Sequence, residues 1–174
     1  RLNNKKIITA VKGIIPEKMQ FITDYLHDEF KIPMSNMAMI SGPSHAEEIA
    51  QEKFTFLTAA SVNQDLAQNV AKMFTNRYVR ASVSSDIKGA ELAVVMKNIY
   101  ALGAGVYSGL GYGDNFIAAY IANGVREMKN FVRKVFPGER CLDDSVYLGD
   151  LLVTAYSRYS RNRMFGNMIG NGPS

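Results

Sequence analysis

At residues 84–106 the sequence reads SSDIKGAELAVVMKNIYALGAGV, and its pattern changes here. The part from Glu91 to Val106 is apolar on nearly all sides of a helix, which predicts a buried helix. Upstream of it, short β-branched runs alternate with helical patterns, whereas the sequence downstream is helical only. The stretch therefore separates an α/β part from an all-α part.

The residues before this boundary predict a mostly parallel sheet with helices between its strands. Pro16 is suited to the first turn of a helix and Asn63 to a helix N-cap. The predicted strands are residues 7–11, 37–40, 54–59 and 78–81, and the predicted helices are residues 16–29, 45–51 and 63–75.

The residues after the boundary predict helices alone. They cover residues 87–106, 114–135 with Asp114 as the N-cap, 145–156, and a last helix from Ser160, with a turn-rich stretch at residues 137–144. The glycine-rich run 109–115 follows a helix rather than a strand, so it fails the context test for a dinucleotide-binding loop. We interpret it as a turn between two helices.

Composition excludes several classes of function. The chain has 174 residues, 47% of them hydrophobic, and a net charge of +4. No apolar run is long enough to cross a membrane, so no stable membrane insertion is expected. Lysines and arginines are scattered, which argues against a nucleic-acid partner. The single cysteine, Cys141, and two isolated histidines predict no disulfide within the chain, no metal site and a reducing cytoplasmic location.

Lys97 is the one lysine between Glu91 and Val106. A lysine in such a dry helix loses hydration and needs a partner, yet no carboxylate lies three or four residues away. Asp150, at the head of another apolar helical run, is the candidate partner. A buried lysine has a lowered pKa and can act as an acid or a base near neutral pH. The alternative is a packed stem with a solvated ammonium group.

Three further segments favour an anion. Ser44 and Glu47 fit a capping box at the start of a helix, and such a terminus suits an anion. The side chains of residues 160–162 (SRN) can bind a phosphate, and Lys12 follows the first strand, where ligands of α/β sheets bind. Each also has an ordinary interpretation, as a cap, a solvated turn or a loop lysine. Together with a buried lysine and a remote acid, they predict proton transfer on a small anionic substrate.

Six motifs, taken in order, resemble those of bacterial NAD(P)-dependent glycerol-3-phosphate dehydrogenases. They are residues 11–13 (VKG), 41–47 (SGPSHAE), 86–92 (DIKGAEL) leading to Lys97 and Asn98, 109–115 (GLGYGDN), 148–154 (LGDLLVT) and 160–166 (SRNRMFG). The resemblance covers nearly the whole chain. It implies that residues 1–84 are the C-terminal part of an NAD(P)-binding Rossmann-type domain, and that residues 85–174 belong to a helical substrate-binding and catalytic domain.

The resemblance also implies a reaction: hydride transfer with NAD(P)H that interconverts dihydroxyacetone phosphate and sn-glycerol 3-phosphate, supplying the latter for phospholipid synthesis. Lys97 matches the catalytic lysine, and Asn98 and Asp150 match residues that orient it and the substrate. The implied substrate-binding residues are Lys12, Gly42, Ser44, Thr154, Ser160, Arg161 and Asn162. The implied cofactor-binding residues are Lys12, Ala46 and Arg161. A homodimer is expected from the family.

The sequence departs from the family pattern in places. It contains no strand followed by G-x-G-x-x-G, which in the family lies nearer the N-terminus, and the family continues past Gly172. We therefore expect missing sequence at both ends and weak cofactor binding by the isolated chain. The sequence gives no basis for choosing between NADH and NADPH. His45 stands where an aromatic residue is common and is assigned no role. Residues 146–148 (VYL) replace smaller ones.

Two other functions stay open. A related dehydrogenase of similar build could act on a 3-hydroxy acid or a sugar acid, although residues 160–162 favour a phosphate. A non-catalytic module that binds a phosphometabolite or a nucleic acid would keep the anion sites without needing Lys97.

Overall fold

The computed structural model describes residues 4–138, 140 and 144–172, so Cys141 and part of the predicted turn-rich stretch lie outside the described residues. The strands are β1 (Ile7–Thr9), β2 (Ile14–Ile15), β3 (Gln20–Phe21), β4 (Met37–Ser41), β5 (Thr55–Ala60) and β6 (Val79–Ser84). The helices are α1 (Ile22–Phe30), α2 (Ala46–Ala50), α3 (Gln64–Phe74), α4 (Ile87–Gly109), α5 (Asp114–Val135), α6 (Asp150–Tyr156) and α7 (Arg161–Asn171). A 3₁₀ turn, Met34–Asn36, precedes β4, and a π-helical turn, Ser145–Gly149, leads into α6.

The predicted order, α/β followed by helices only, is confirmed, but the main sheet is mixed. Its strands lie in the order β1, β4, β5, β6; the two outer pairings are parallel and the β4–β5 pairing is antiparallel. The reason lies in α2, whose five residues span about 8 Å, whereas β4 spans about 17 Å. Since α2 is too short to carry the chain back across the sheet, β5 returns antiparallel.

Strand β4 is buried along its whole length because both faces of the sheet are covered. Ala38 and Ile40 pack in a core with α3, while Met39 packs in a larger core with α4, α5 and α6. This arrangement explains why β4 is a continuous apolar run rather than an alternating one. It also places Ser41, the last residue of β4, next to the helical part.

The helix predicted from Pro16 begins only at Ile22. Residues 14–21 instead form a β2–β3 hairpin, with Ile14 opposite Phe21. Phe21 packs against the ring of Phe136, with centroids 6.1 Å apart. A proline in a first turn is permitted but does not start a helix by itself, and here the packing of Phe21 against the helical part favours the extended form.

Two predicted caps are also wrong. Ser44 does not cap α2, since its Oγ donates to the carbonyl oxygen of Gly42, 3.0 Å away, and His45 is the N-cap residue without a side-chain bond. Asp114 is the first residue of α5, and Gly113 is the N-cap. The cap predicted at Asn63 is confirmed, because its side-chain oxygen accepts from the backbone N–H of Leu66. The last helix, predicted to begin near Ser160, has Ser160 as its N-cap, with Oγ accepting from the backbone N–H of Arg163.

Helix α4 is the centre of the helical part, as its apolar pattern predicts. It begins at a cap made by Asp86, which also accepts hydrogen bonds from Arg140 and from the hydroxyl of Tyr147. Tyr147 lies in the π-helical turn just before Asp150, so this network ties the start of α4 to the start of α6. No helix in the described ranges is both long and apolar enough to cross a membrane.

Candidate active site

The predicted pairing of Lys97 with Asp150 is present in the structure. Lys97 lies on α4 and is 3% exposed, and Asp150 is the first residue of α6 and is 2% exposed. The Nζ atom of Lys97 forms an ion pair with Oδ1 of Asp150. Two charges so deeply buried need each other, since either one left alone would carry a large desolvation penalty.

Three further residues contact Asp150, two of them from other elements and one from its own helix. The Oγ atom of Ser41, at the end of β4, donates to Oδ2 at 2.9 Å, and Nζ of Lys12 lies 3.9 Å from the same oxygen. Thr154, one turn further along α6, donates to the backbone carbonyl of Asp150 at 2.6 Å. The carboxylate therefore joins the sheet, the loop after β1 and two helices.

Burial lowers the pKa of Lys97 from 10.5 to about 8. Asp150 opposes this shift because it stabilises the ammonium form, whereas the charge of Lys12 adds to it. An amine with a pKa near 8 is present in both protonation states around neutral pH. Lys97 can therefore donate a proton or accept one, as proton transfer requires.

The pair lies at a cleft of about 570 Å³. Lys12, Lys97 and Arg161 bring three positive charges to this cleft, against the one negative charge of Asp150, which suits an anionic ligand. Its lining residues are Lys12, Gly42, Ser44, His45, Lys97, Asn98, Asp150, Val153, Thr154, Tyr159, Ser160, Arg161, Asn162 and Phe165.

The structure thus brings together nearly all the residues singled out from the sequence. Ala46 is the exception, as it is exposed at the start of α2 and is not among the residues that line the cleft. Ser160 is buried and caps α7, and Arg161 and Asn162 follow it on the first turn. The free N–H groups of that turn, next to a guanidinium, form a site suited to a phosphate.

Some residues at the site were missed from the sequence. Ser41 gave no signal beyond being a polar residue at the end of an apolar strand. His45 was assigned no role, yet it lines the cleft, its ring lies 6.0 Å from that of Tyr159, and its Nε2 is buried with no hydrogen-bond partner among the described residues. Val153, Tyr159 and Phe165 line the cleft as ordinary helix and loop residues.

Gly42 shows why this wall of the cleft cannot carry a larger residue. Its φ is +134°, and a Cβ there would lie 2.6 Å from the carbonyl oxygen of Phe56. Only glycine fits both the backbone conformation and the space.

In the described part of the chain, no group of three or more His, Cys, Asp or Glu side chains could hold a metal ion.

Comparison with known proteins agrees with this geometry. A model of the NAD-dependent glycerol-3-phosphate dehydrogenase C-terminus matches residues 86–174, and a model of the N-terminus of the same family matches residues 2–67. Glycerol-3-phosphate dehydrogenase (NAD(P)+) 2 of Lactobacillus delbrueckii subsp. bulgaricus is 39% identical over 172 residues, which are 97% of this chain and 51% of that protein. The Streptococcus gordonii enzyme is 39% identical over 171 residues, covering 98% of this chain and 51% of that protein.

A solved structure is similar as well. The glycerol-3-phosphate dehydrogenase of Coxiella burnetii superposes with a TM-score of 0.87 at 33% identity, over 97% of this chain and 51% of that one. The chain spans about half the length of the curated relatives it matches.

Proposed function

The chain belongs to the NAD-dependent glycerol-3-phosphate dehydrogenase family, and on that premise we propose that it forms the proton-transfer and substrate-binding part of an enzyme that interconverts dihydroxyacetone phosphate and sn-glycerol 3-phosphate. One observation carries the proposal: the buried Lys97–Asp150 pair lies at a cleft with a surplus of positive charge.

Lys97 is the proton donor in the direction of reduction. When bound, NAD(P)H supplies the hydride that adds to the carbonyl carbon of dihydroxyacetone phosphate. The ammonium group of Lys97 gives its proton to the carbonyl oxygen as negative charge develops there, which yields the secondary alcohol and a neutral amine. In the reverse direction the amine takes that proton back. General acid–base catalysis of this kind contributes about 10²–10⁴-fold to a rate.

Asp150 and Asn98 orient the reacting groups. Asp150 holds Nζ of Lys97, and Lys97 lines the cleft in which the substrate binds. Asn98 follows Lys97 on α4 and lines the same cleft, where its amide can bind a substrate hydroxyl.

The phosphate is bound away from the reacting carbon, at the start of α7. Ser160, Arg161 and Asn162 supply a hydroxyl, a guanidinium and an amide there. Lys12, Gly42, Ser44 and Thr154 complete the substrate site. Binding energy from the phosphate holds the carbonyl next to Lys97 and so assists a reaction in which the phosphate takes no part.

The donors in this chain fit the reactive end of a nicotinamide cofactor. Lys12 and Arg161 line the cleft beside Lys97 and can balance the charge of a pyrophosphate, and Ala46 lies on the adjoining helix α2. Residues that would bind the rest of the cofactor, a G-x-G-x-x-G turn above all, do not occur in this sequence.

The same proposal includes a cytoplasmic location, a supply of glycerol 3-phosphate to phospholipid synthesis, and a homodimer. The single cysteine supports the location, since it fits a reducing compartment. The family membership supports the other two.

A substrate panel tests the proposed activity. The full-length protein, assayed with NADH and with NADPH, should reduce dihydroxyacetone phosphate; assayed with NAD+ and with NADP+, it should oxidise sn-glycerol 3-phosphate and should not oxidise 3-hydroxy acids or sugar acids at a comparable rate. Arg161→Ala should raise KM for dihydroxyacetone phosphate about 10- to 100-fold, because a charged hydrogen bond is lost. Arg126→Ala, which changes an exposed arginine on α5, is the matched control and should leave KM unchanged.

Preferred turnover of a 3-hydroxy acid or a sugar acid would contradict the proposed substrate. Tight binding of phosphate compounds without any turnover would instead support a non-catalytic module.

A further inference from the structure

Ser41 is a buried polar residue that the reaction described so far does not use. It ends β4, it is 2% exposed, and it is not among the residues that line the cleft. A buried hydroxyl needs a partner, and Ser41 donates to Oδ2 of Asp150 at 2.9 Å. It therefore touches the active site only through that carboxylate.

The two oxygens of Asp150 have different neighbours. Oδ1 faces Lys97 and the hydroxyl of Thr154, which is 3.5 Å away, while Oδ2 faces Ser41 and Lys12. Of these four donors, only Ser41 lies on a strand, where its backbone is paired with that of Thr58 on β5. Its Oγ thus has a fixed position, whereas the side chain of Lys12 is 36% exposed and reaches Oδ2 only at 3.9 Å.

We propose that Ser41 is a positioning residue: its hydroxyl binds Oδ2 of Asp150 and draws part of the carboxylate charge to the sheet side, away from Lys97. This inference rests on the proposed function, because it concerns the proton that Lys97 transfers.

The hydrogen bond has an electrostatic consequence. A donor to a carboxylate stabilises its negative charge and weakens its pull on a neighbouring ammonium group. Without the Ser41 hydroxyl, Asp150 directs more of its charge at Lys97, and the pKa of Lys97 rises. The other titratable groups that line the cleft are Lys12, His45, Tyr159 and Arg161, and of these Lys12 also faces Oδ2 of Asp150.

The test is a direct titration of Lys97 by NMR in the chain labelled with ¹³Cε-lysine, in which the Lys97 signal is assigned by its loss in Lys97→Met. Ser41→Ala should move the midpoint of Lys97 upward by about 0.5–1 pH unit, the equivalent of one hydrogen bond. Ser41→Thr, which keeps the hydroxyl, should restore the midpoint. If Ser41→Ala does not fold, Ser41→Cys keeps the volume with a weaker donor and should shift the midpoint in the same direction.

Ser61→Ala is the matched control. Ser61 is an equally buried serine that follows β5, and its Oγ donates to the backbone carbonyl of Met37 at 2.7 Å, away from the carboxylate. Its loss should lower stability and leave the Lys97 midpoint in place. An unchanged midpoint in Ser41→Ala, or an equal shift in Ser61→Ala, would overturn the inference.

Turnover gives a second readout that separates this inference from the proposed function. In the full-length protein, Ser41→Ala should move the pH limbs of reduction and oxidation in the same direction, to higher pH. A merely damaged site would lower both rates without moving the limbs. Absence of any activity with dihydroxyacetone phosphate would contradict the proposed function, while the NMR titration would still decide the role of Ser41.

Discussion

At the scale of the residue, α4 carries two buried charges that serve different purposes. Glu91 accepts hydrogen bonds from the backbone N–H and the hydroxyl of Thr23 and from Lys88, so it fastens α1 to α4. Lys97 has its one carboxylate partner on one side and the cleft on the other. A fully satisfied charge is structural, whereas a charge with one face open to a ligand site can take part in chemistry.

The lowered pKa of Lys97 predicts opposite pH dependences for the two directions of the reaction. Reduction needs the ammonium form, so its kcat/KM should fall as the pH rises through about 8. Oxidation needs the free amine, so its kcat/KM should rise through the same pH. Initial rates in both directions between pH 6 and 10 measure this, and a reduction limb at about pH 10, the ordinary range of an exposed lysine, would contradict it.

At the scale of the element, the width of the cleft depends on how closely α7 approaches α4. The two helices touch through glycines, and a Cβ on Gly166 would lie 2.0 Å from the backbone carbonyl of Leu102. A Cβ on Gly105, at the same crossing, would lie 2.1 Å from the carbonyl oxygen of Arg163. Since Lys97 lies on α4 and Arg161 on α7, this crossing sets the distance between the proposed proton donor and the proposed phosphate site.

Gly166→Ala should therefore destabilise the fold and weaken substrate binding together. The added methyl group meets backbone rather than a flexible side chain, so we expect a loss of about 1–3 kcal/mol in the free energy of unfolding. Gly113→Ser is the control, because a Cβ there meets nothing within 4 Å, and serine is a good N-cap for α5. Urea denaturation of the two variants measures their stabilities, and equal stabilities would contradict the close packing.

At the scale of the whole molecule, the site lies where the sheet part meets the helical part. Ser41 and Lys12 reach it from strand ends, and Thr58 of β5 contacts Ser145 of the π-helical turn through their hydroxyls, 3.2 Å apart. The Rossmann-like part followed by a helical part is shown by the family match and the solved neighbour. The boundary placed at residue 84 stays a prediction, although β6 ends there.

The sequence predicted the site better than it predicted the sheet. A lysine in a dry helix requires a carboxylate, and Asp150, at the head of another apolar run, was the candidate that the structure places beside Lys97. The antiparallel β5 could not be foreseen, since it depends on how far the five residues of α2 reach. The hairpin at residues 14–21 was missed for a related reason: it depends on the distant Phe136, which a local pattern does not show.

Lys97 is the centre of the account, and one substitution tests it most directly. The measurement is kcat for NAD(P)H-dependent reduction of dihydroxyacetone phosphate by the full-length protein, with Lys97→Met beside Lys72→Met, which changes an exposed lysine on α3. Lys97→Met keeps the length of the side chain and removes its proton, so kcat should fall about 10²–10⁴-fold while circular dichroism shows a folded protein. The control should match the parent. A Lys97→Met enzyme with kcat within a few-fold of the parent would contradict the role of Lys97.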